Sequence, residues 1–299
     1  MKSSVIAFFM VMVAAVLWGS IGFAQSFMSA AVPVYWIASG RFFVASLFFF
    51  LLLILHKNGF DFKNFSSHIW FLLLLAALSI TINNFCFFYG VRETGIAIGS
   101  VATIGSAPIW AGLLAIFVNR KIPSKSWWLG VCCAAVGVTW MAISQAHSWF
   151  IDLVGLGSCL IAGLCYACFS QLSAQLVKQI SSQSAMAFSF MLAFLIATLA
   201  SCLLSPLPNS LSLIDYTVVL YLGVFTTGVA FLLYTRALSR INFNTAVALS
   251  LLDPVTAFLL AVFVVHEPIQ LNAVCGLLFI LFGLRLVMKN ELTSSPKEN

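Results

Sequence analysis

The stretch from about Tyr234 to Val287 repeats one from near Tyr89 to Ala142. At a fixed offset of 146 positions, Pro254 falls on Pro108, Ala257 on Ala111 and Leu259-Leu260-Ala261 on Leu113-Leu114-Ala115. In the same register Phe263-Val264 falls on Phe117-Val118, Gly276 on Gly130 and Gly283 on Gly137. Apolar matches are cheap in a chain that is 62% apolar; a proline and two glycines held in one register are not. The passage reads as part of an internal duplication, so the chain folds as two like units.

The units belong in a bilayer. Only 7% of residues are charged, against about 25% in ordinary soluble domains. So few charges cannot cover a water-facing surface. Apolar segments of about 20 residues follow one another, the length that crosses a hydrocarbon core of about 30 Å. Ten are counted, near 5–27, 34–55, 69–90, 96–118, 126–145, 151–173, 184–204, 214–236, 244–265 and 270–288. The alternating polarity of a β-barrel is absent. The net charge of +6 is spread singly through short loops rather than along a stripe, which excludes a nucleic-acid partner.

Sidedness sets the topology. With the N-terminus in the cytoplasm, Lys2, Lys57, Lys63, Arg120, Lys121, Lys125, Lys178, Arg236, Arg240, Arg285, Lys289 and Lys297 fall on the inner side. Arg92 falls outside, and Arg41 lies within span two. The positive-inside rule places both termini in the cytoplasm. Five spans per unit is an odd number, so the second unit enters from the opposite side. The expected fold is an all-α polytopic membrane protein of ten transmembrane helices in two inverted five-helix repeats. Residues 1–146 form the first, 147–290 the second, and 291–299 a disordered cytoplasmic tail. Lys2 and the apolar run after it resemble a signal peptide, but the run to Phe27 is too long, and it reads as an uncleaved first span.

Short motifs are spread over the chain: Trp18-Gly19, Arg41-Phe42, Leu252-Asp253-Pro254, and His266-Glu267 with Gly276 and Gly283 after it. Together with the ten spans they resemble the drug/metabolite transporter superfamily in its ten-span bacterial form with two EamA-type repeats. Trp18-Gly19 looks like the Trp-Gly element of span one, and Arg41-Phe42 like the Arg-Phe start of span two. Leu252-Asp253-Pro254 is similar to a Leu-Glu-Pro element, with Asp for Glu. His266-Glu267, followed by Gly276 and Gly283, is similar to the Gly-Glu corner and its two glycines, with His for Gly. The first half departs more: Ala107-Pro108 lacks the acid, and Lys121 stands opposite Glu267. The resemblance implies an inner-membrane carrier of small metabolites, amino acids or drugs. It also implies a central cavity lined by spans one, three, four, six, eight and nine.

Within such a cavity Asp253 is the most informative residue. A carboxylate deep in a bilayer costs roughly 2.5–3.5 kcal/mol, so it needs a partner, a proton or a wet cavity. Pro254 lacks an N–H, which leaves the Ser250 carbonyl without its helical donor. Asp253 then serves either as a site for a substrate ammonium or proton, or as a stabiliser of the kink. Arg41 either pairs with an acid or a substrate carboxylate, or reaches toward lipid headgroups. Asn83 and Asn84, with Phe87 one turn on, suit a pocket or interhelical hydrogen bonds. Gly99, Thr103, Ser106 and Trp110 share one helical face, suited to close packing or to lining a path. Trp18, Gln25, Tyr166, Ser170, Tyr234 and Ser250 complete the candidate cavity. Asp253, Arg41 and Glu267 are the candidates for coupling or gating, Glu267 otherwise capping the start of span ten.

The eight cysteines all lie in apolar segments and read as packing residues, not as a disulfide framework or metal site. No nucleotide-binding loop or nucleophile–base pair is visible, so the chain is not expected to be an enzyme or to use ATP directly. No cofactor is expected. The expected function is secondary transport of a small metabolite by alternating access, with an amino acid or related compound exported. Uptake of a metabolite or vitamin and multidrug export are the alternatives within the fold. A membrane-embedded receptor or enzyme is the alternative from another class. Expected partners are the substrate, the bilayer and protons, in a monomer or weak homodimer.

Overall fold

A computed structural model of the protein describes residues 2–29, 32–55, 65–143, 152–208, 210–264, 266 and 271–294. Inside a bilayer every backbone N–H and C=O has to find its partner within the protein, so apolar segments of this length become helices. Span one is α1 (Lys2–Gly19) and the short α2 (Ile21–Gln25); α3 (Val34–Leu55), α4 (Ser67–Thr94), α5 (Ile96–Phe117) and α6 (Lys125–Ile143) complete the first unit. The second unit is α7 (Leu153–Leu176), α8 (Ser182–Leu204), the composite spans eight and nine, and α13 (Leu271–Ser294). Span eight is α9 (Leu213–Tyr221), a π-helical segment (Leu222–Val229) and α10 (Ala230–Leu238). Span nine is α11 (Phe243–Leu249), a 3-10 turn (Ser250–Leu252) and α12 (Asp253–Phe263). Among the described residues nine spans are long and apolar enough to cross a membrane. The remaining one, α6, has 19 residues, about 28 Å at 1.5 Å per residue.

Helix starts follow local chemistry. Ser66, Asp152, Ser181 and Ser212 each accept a hydrogen bond from an N–H three residues on, capping α4, α7, α8 and α9. Ser212 and Asp215 close a full capping box. At the other end, α4 stops where Gly95 turns to φ +86°, a left-handed conformation that suits glycine.

The packing repeats itself. Between the units, the α4–α7 contact is answered by α1 against α10, and α5–α7 by α1 against α12. The fifth spans, α6 and α13, pack on each other, as do the second spans, α3 and α8. Along α6 and α13, Gly130 meets Gly283 and Gly137 meets Gly276. The contacts therefore run in opposite senses, and the two fifth spans are antiparallel. The glycine register of the duplication forms one two-fold crossing, and the repeats are inverted.

Symmetry fails in one place. Spans one, eight and nine are all interrupted, and they touch one another. Their counterparts in the other unit are the unbroken α7, α4 and α5, with Pro108 accommodated inside α5. At the span-nine break the sequence expectation is corrected. The Ser250 carbonyl is not free, because the Asp253 N–H donates to it in the 3-10 turn. Tightening the turn moves the donor from the fourth residue to the third, so Pro254 costs no carbonyl there.

A second correction concerns the C-terminus. The helix does not give way at Glu291 but continues to Ser294. Glu291 is buried, and its carboxylate accepts from the Asn242 backbone N–H (2.9 Å), Asn242 Nδ2 (2.9 Å) and Thr245 Oγ1 (2.7 Å). A polar residue read as tail is thus a tether between span ten and the start of span nine. Residues 295–299 lie outside the described residues.

Candidate functional site

A cavity of about 1020 Å³ opens between the two units. Its wall runs from Tyr166, Ser250 and Asp253 at mid-span to Ser26, Tyr35, Arg92 and Ala261 at the helix ends. Those ends lie opposite the ones that carry Arg120, Lys121, Arg236 and Arg240. Toward the basic end the protein is closed. Behind Tyr166, the hydroxyls of Ser170 and Tyr234 hydrogen-bond at 2.5 Å, both residues fully buried. Further on, Asn119 and Gln171 exchange two amide hydrogen bonds, at 3.2 and 2.7 Å. Ser170 and Tyr234 therefore do not line the cavity; they brace its floor.

The broken spans shape the pocket. The Trp18 indole N–H donates to the Thr226 carbonyl in the π segment at 3.0 Å. Its ring meets Tyr166 edge-on at 6.0 Å and packs against Phe231 at 5.1 Å. Gly19, the next residue, lies against the Asp253 backbone so closely that a Cβ there would sit 2.5 Å from the Asp253 carbonyl oxygen. Only glycine permits that approach. Trp18-Gly19 thereby wedges span one between the π segment and the span-nine break.

Asp253 lines the cavity directly, and among the described residues no hydrogen bond or ion pair reaches its carboxylate. Arg41 also lines it, at 6% exposure, with Nε donating to Thr227 Oγ1 at 3.2 Å. A headgroup-seeking arginine would be exposed at a rim; this one points into the cavity. Asn83 Nδ2 donates to the Ala162 carbonyl of α7 at 2.8 Å, so that amide serves helix packing. Asn84 Nδ2 donates to the Ile80 carbonyl, and its Oδ1 accepts nothing from the described residues. Phe87, Thr103, Gln25 and Ser250 are in the wall. The Gln25 Nε2 is buried without a partner among the described residues. Thr103 donates to the Cys159 carbonyl at 3.1 Å, and Thr103 and Ser106 abut Gly163, which is the close-packing role for that face of α5. Glu267 lies outside the described residues.

Sequence reasoning missed the π segment, Phe231, the Asn119–Gln171 pair and Glu291. For the π segment a signal was present: Thr226-Thr227 between Gly223 and Gly228 in an otherwise apolar span. Among the described residues no group of three or more His, Cys, Asp or Glu side chains comes together to hold a metal.

An inverted-repeat helical bundle with a largely apolar cavity between its halves, into which a few polar and charged side chains are set, is the architecture of a multi-pass membrane transporter. Comparison with known proteins agrees. Residues 5–143 and 153–289 each match the EamA-like transporter family, and the chain belongs to that family. It is 31% identical over 294 residues to the uncharacterized transporter YwfM of Bacillus subtilis (strain 168), covering 96% of this chain and 95% of that one. The uncharacterized transporter YetK of the same organism is 25% identical over 268 residues, 86% of this chain and 79% of its own. A protein crystal structure superposes with a TM-score of 0.82 at 15% identity, covering 97% of this chain and 98% of the other, which establishes the shared fold.

Proposed function

We propose that the protein is a secondary carrier that moves an amino acid or related small metabolite across the inner membrane by alternating access, in the direction of export. The observation that carries this reading is Asp253. A carboxylate at mid-span, facing a cavity and unpartnered among the described residues, suits a substrate ammonium or a transported proton. The inverted repeats support alternating access, because halves related by a two-fold can exchange conformations. With the basic loops in the cytoplasm, the cavity faces outward and both termini face inward. Export rests on the resemblance to metabolite exporters.

The experiment is transport in proteoliposomes with imposed pH gradients. Wild-type protein is expected to accumulate a labelled metabolite against its gradient, and Asp253→Asn to lose proton-driven accumulation. Undiminished, pH-dependent accumulation by Asp253→Asn removes the residue from the coupling mechanism. Flux in everted vesicles separates export from uptake.

A further inference from the structure

We propose that Arg41, held in place by Thr227 of the π-helical segment, is the residue that reads the anionic group of the substrate, and that the substrate therefore carries a single carboxylate. This rests on the carrier reading above and deepens it.

The guanidinium offers five N–H donors and no acceptor. One, on Nε, goes to Thr227 Oγ1. The remaining four, on the two terminal nitrogens, meet no acceptor among the described residues. Arg41 stacks only loosely on Phe42, with its central carbon 5.9 Å from the ring centroid. It makes no ion pair with Asp253, the acid in the cavity wall, and the wall's other cation, Arg92 at the helix ends, is paired with Glu93. A cation at 6% exposure, its fork aimed into a cavity and left unused, is a built site rather than a surface charge.

Thr227 sets the direction of that fork. Its hydroxyl proton goes to the Leu222 carbonyl five residues back, at 2.9 Å. Having given up its only proton, the oxygen can only accept at Arg41. The contact thus has one polarity and pins the Nε edge of the guanidinium. What remains is the end formed by the two terminal nitrogens, the geometry that takes both oxygens of a carboxylate in parallel. The π register matters here, because the i−5 spacing is what brings Thr227 over Leu222. Single π turns recur at functional sites.

The rest of the wall narrows the ligand class. Asp253 disfavours a dianion such as a phosphate ester and favours a positive group beside the carboxylate. Trp18 and Phe231 offer apolar faces to the body of the molecule. The fit is a zwitterion with an apolar side chain, and Thr227 is a positioning residue that acts through Arg41.

The test uses full-length protein in lipid nanodiscs, with thermal shift read against the common L-amino acids and the carboxamide of each one that responds. Wild type is expected to respond to at least one amino acid and not to its carboxamide. Arg41→Gln should abolish the response, and Arg41→Lys, which keeps the charge without the fork, should weaken affinity by about tenfold. Thr227→Val should weaken the amino acid response, and Thr227→Ser should restore it, which a purely structural role for the methyl-bearing side chain does not predict. Equal responses to acid and carboxamide, or a wild-type response from Arg41→Gln, overturn the proposal. If Arg41→Gln does not fold, Arg41→Lys and the Thr227 pair decide. A wild type that no amino acid shifts, yet that moves another labelled metabolite in proteoliposomes, overturns the carboxylate assignment and leaves the carrier reading standing.

Discussion

Gly137 and Gly276 occupy each other's side-chain space. A Cβ on Gly137 would sit 2.5 Å from the Gly276 carbonyl oxygen, and one on Gly276 2.6 Å from that of Gly137. In lipid, helices gain by close packing and not by hiding apolar surface, so such approaches hold the bundle together. Gly137→Ala and Gly276→Ala are each expected to cost about 1–3 kcal/mol by overpacking. Because one shift of α13 relieves both clashes, the double variant should cost less than the two combined. Thermal unfolding of the purified variants measures this, and additive losses would argue against a shared crossing.

Trp18→Phe keeps an aromatic ring against Tyr166 and Phe231 but removes the donor to the Thr226 carbonyl. The expected loss is about 0.5–1.5 kcal/mol, with weaker substrate binding, since the π segment loses its tie to span one. An unchanged unfolding midpoint together with unchanged binding would show that the indole N–H is dispensable.

Glu291→Ala strips three hydrogen bonds from the start of α11 and leaves buried donors behind. A loss of about 1–3 kcal/mol follows. Truncation after Asn290 should destabilise equally, whereas truncation after Ser294 should not. Equal behaviour of the two truncations would contradict the tether.

Asn119 and Gln171 donate to each other. Replacing either by Ala breaks both bonds, so the second replacement should cost little more than the first. A double-mutant cycle is expected to return a coupling of about 1 kcal/mol; zero coupling would mean that the pair does not hold the basic end shut.

The architecture was legible because its determinants are coarse. Span lengths, the glycine register and the placement of lysines survive without knowledge of any side-chain contact. Asp253 was legible for a similar reason, since an acid in an apolar run has few explanations. Arg41 was harder: a long side chain near a helix end can reach outward or inward, and only its neighbours on span eight decide. The π segment differs from a plain α-helix by about one extra residue per turn, and its mark in the sequence is slight, Thr226-Thr227 between Gly223 and Gly228. Ser170 and Tyr234 looked like cavity residues by their polarity, but they satisfy each other. Glu291 read as tail because a polar stretch gives no hint of a buried partner 49 residues earlier.

The breaks in spans one, eight and nine have no counterparts in α7, α4 and α5. In a carrier with perfect two-fold symmetry the inward- and outward-facing forms would be isoenergetic, and the unloaded protein would spend half its time in each. Under the proposed alternating access, breaks gathered in one trio of spans would remove that degeneracy. The empty protein would then have a preferred resting face, and the free-energy gap between the two faces would be a quantity that substitutions at the three breaks tune.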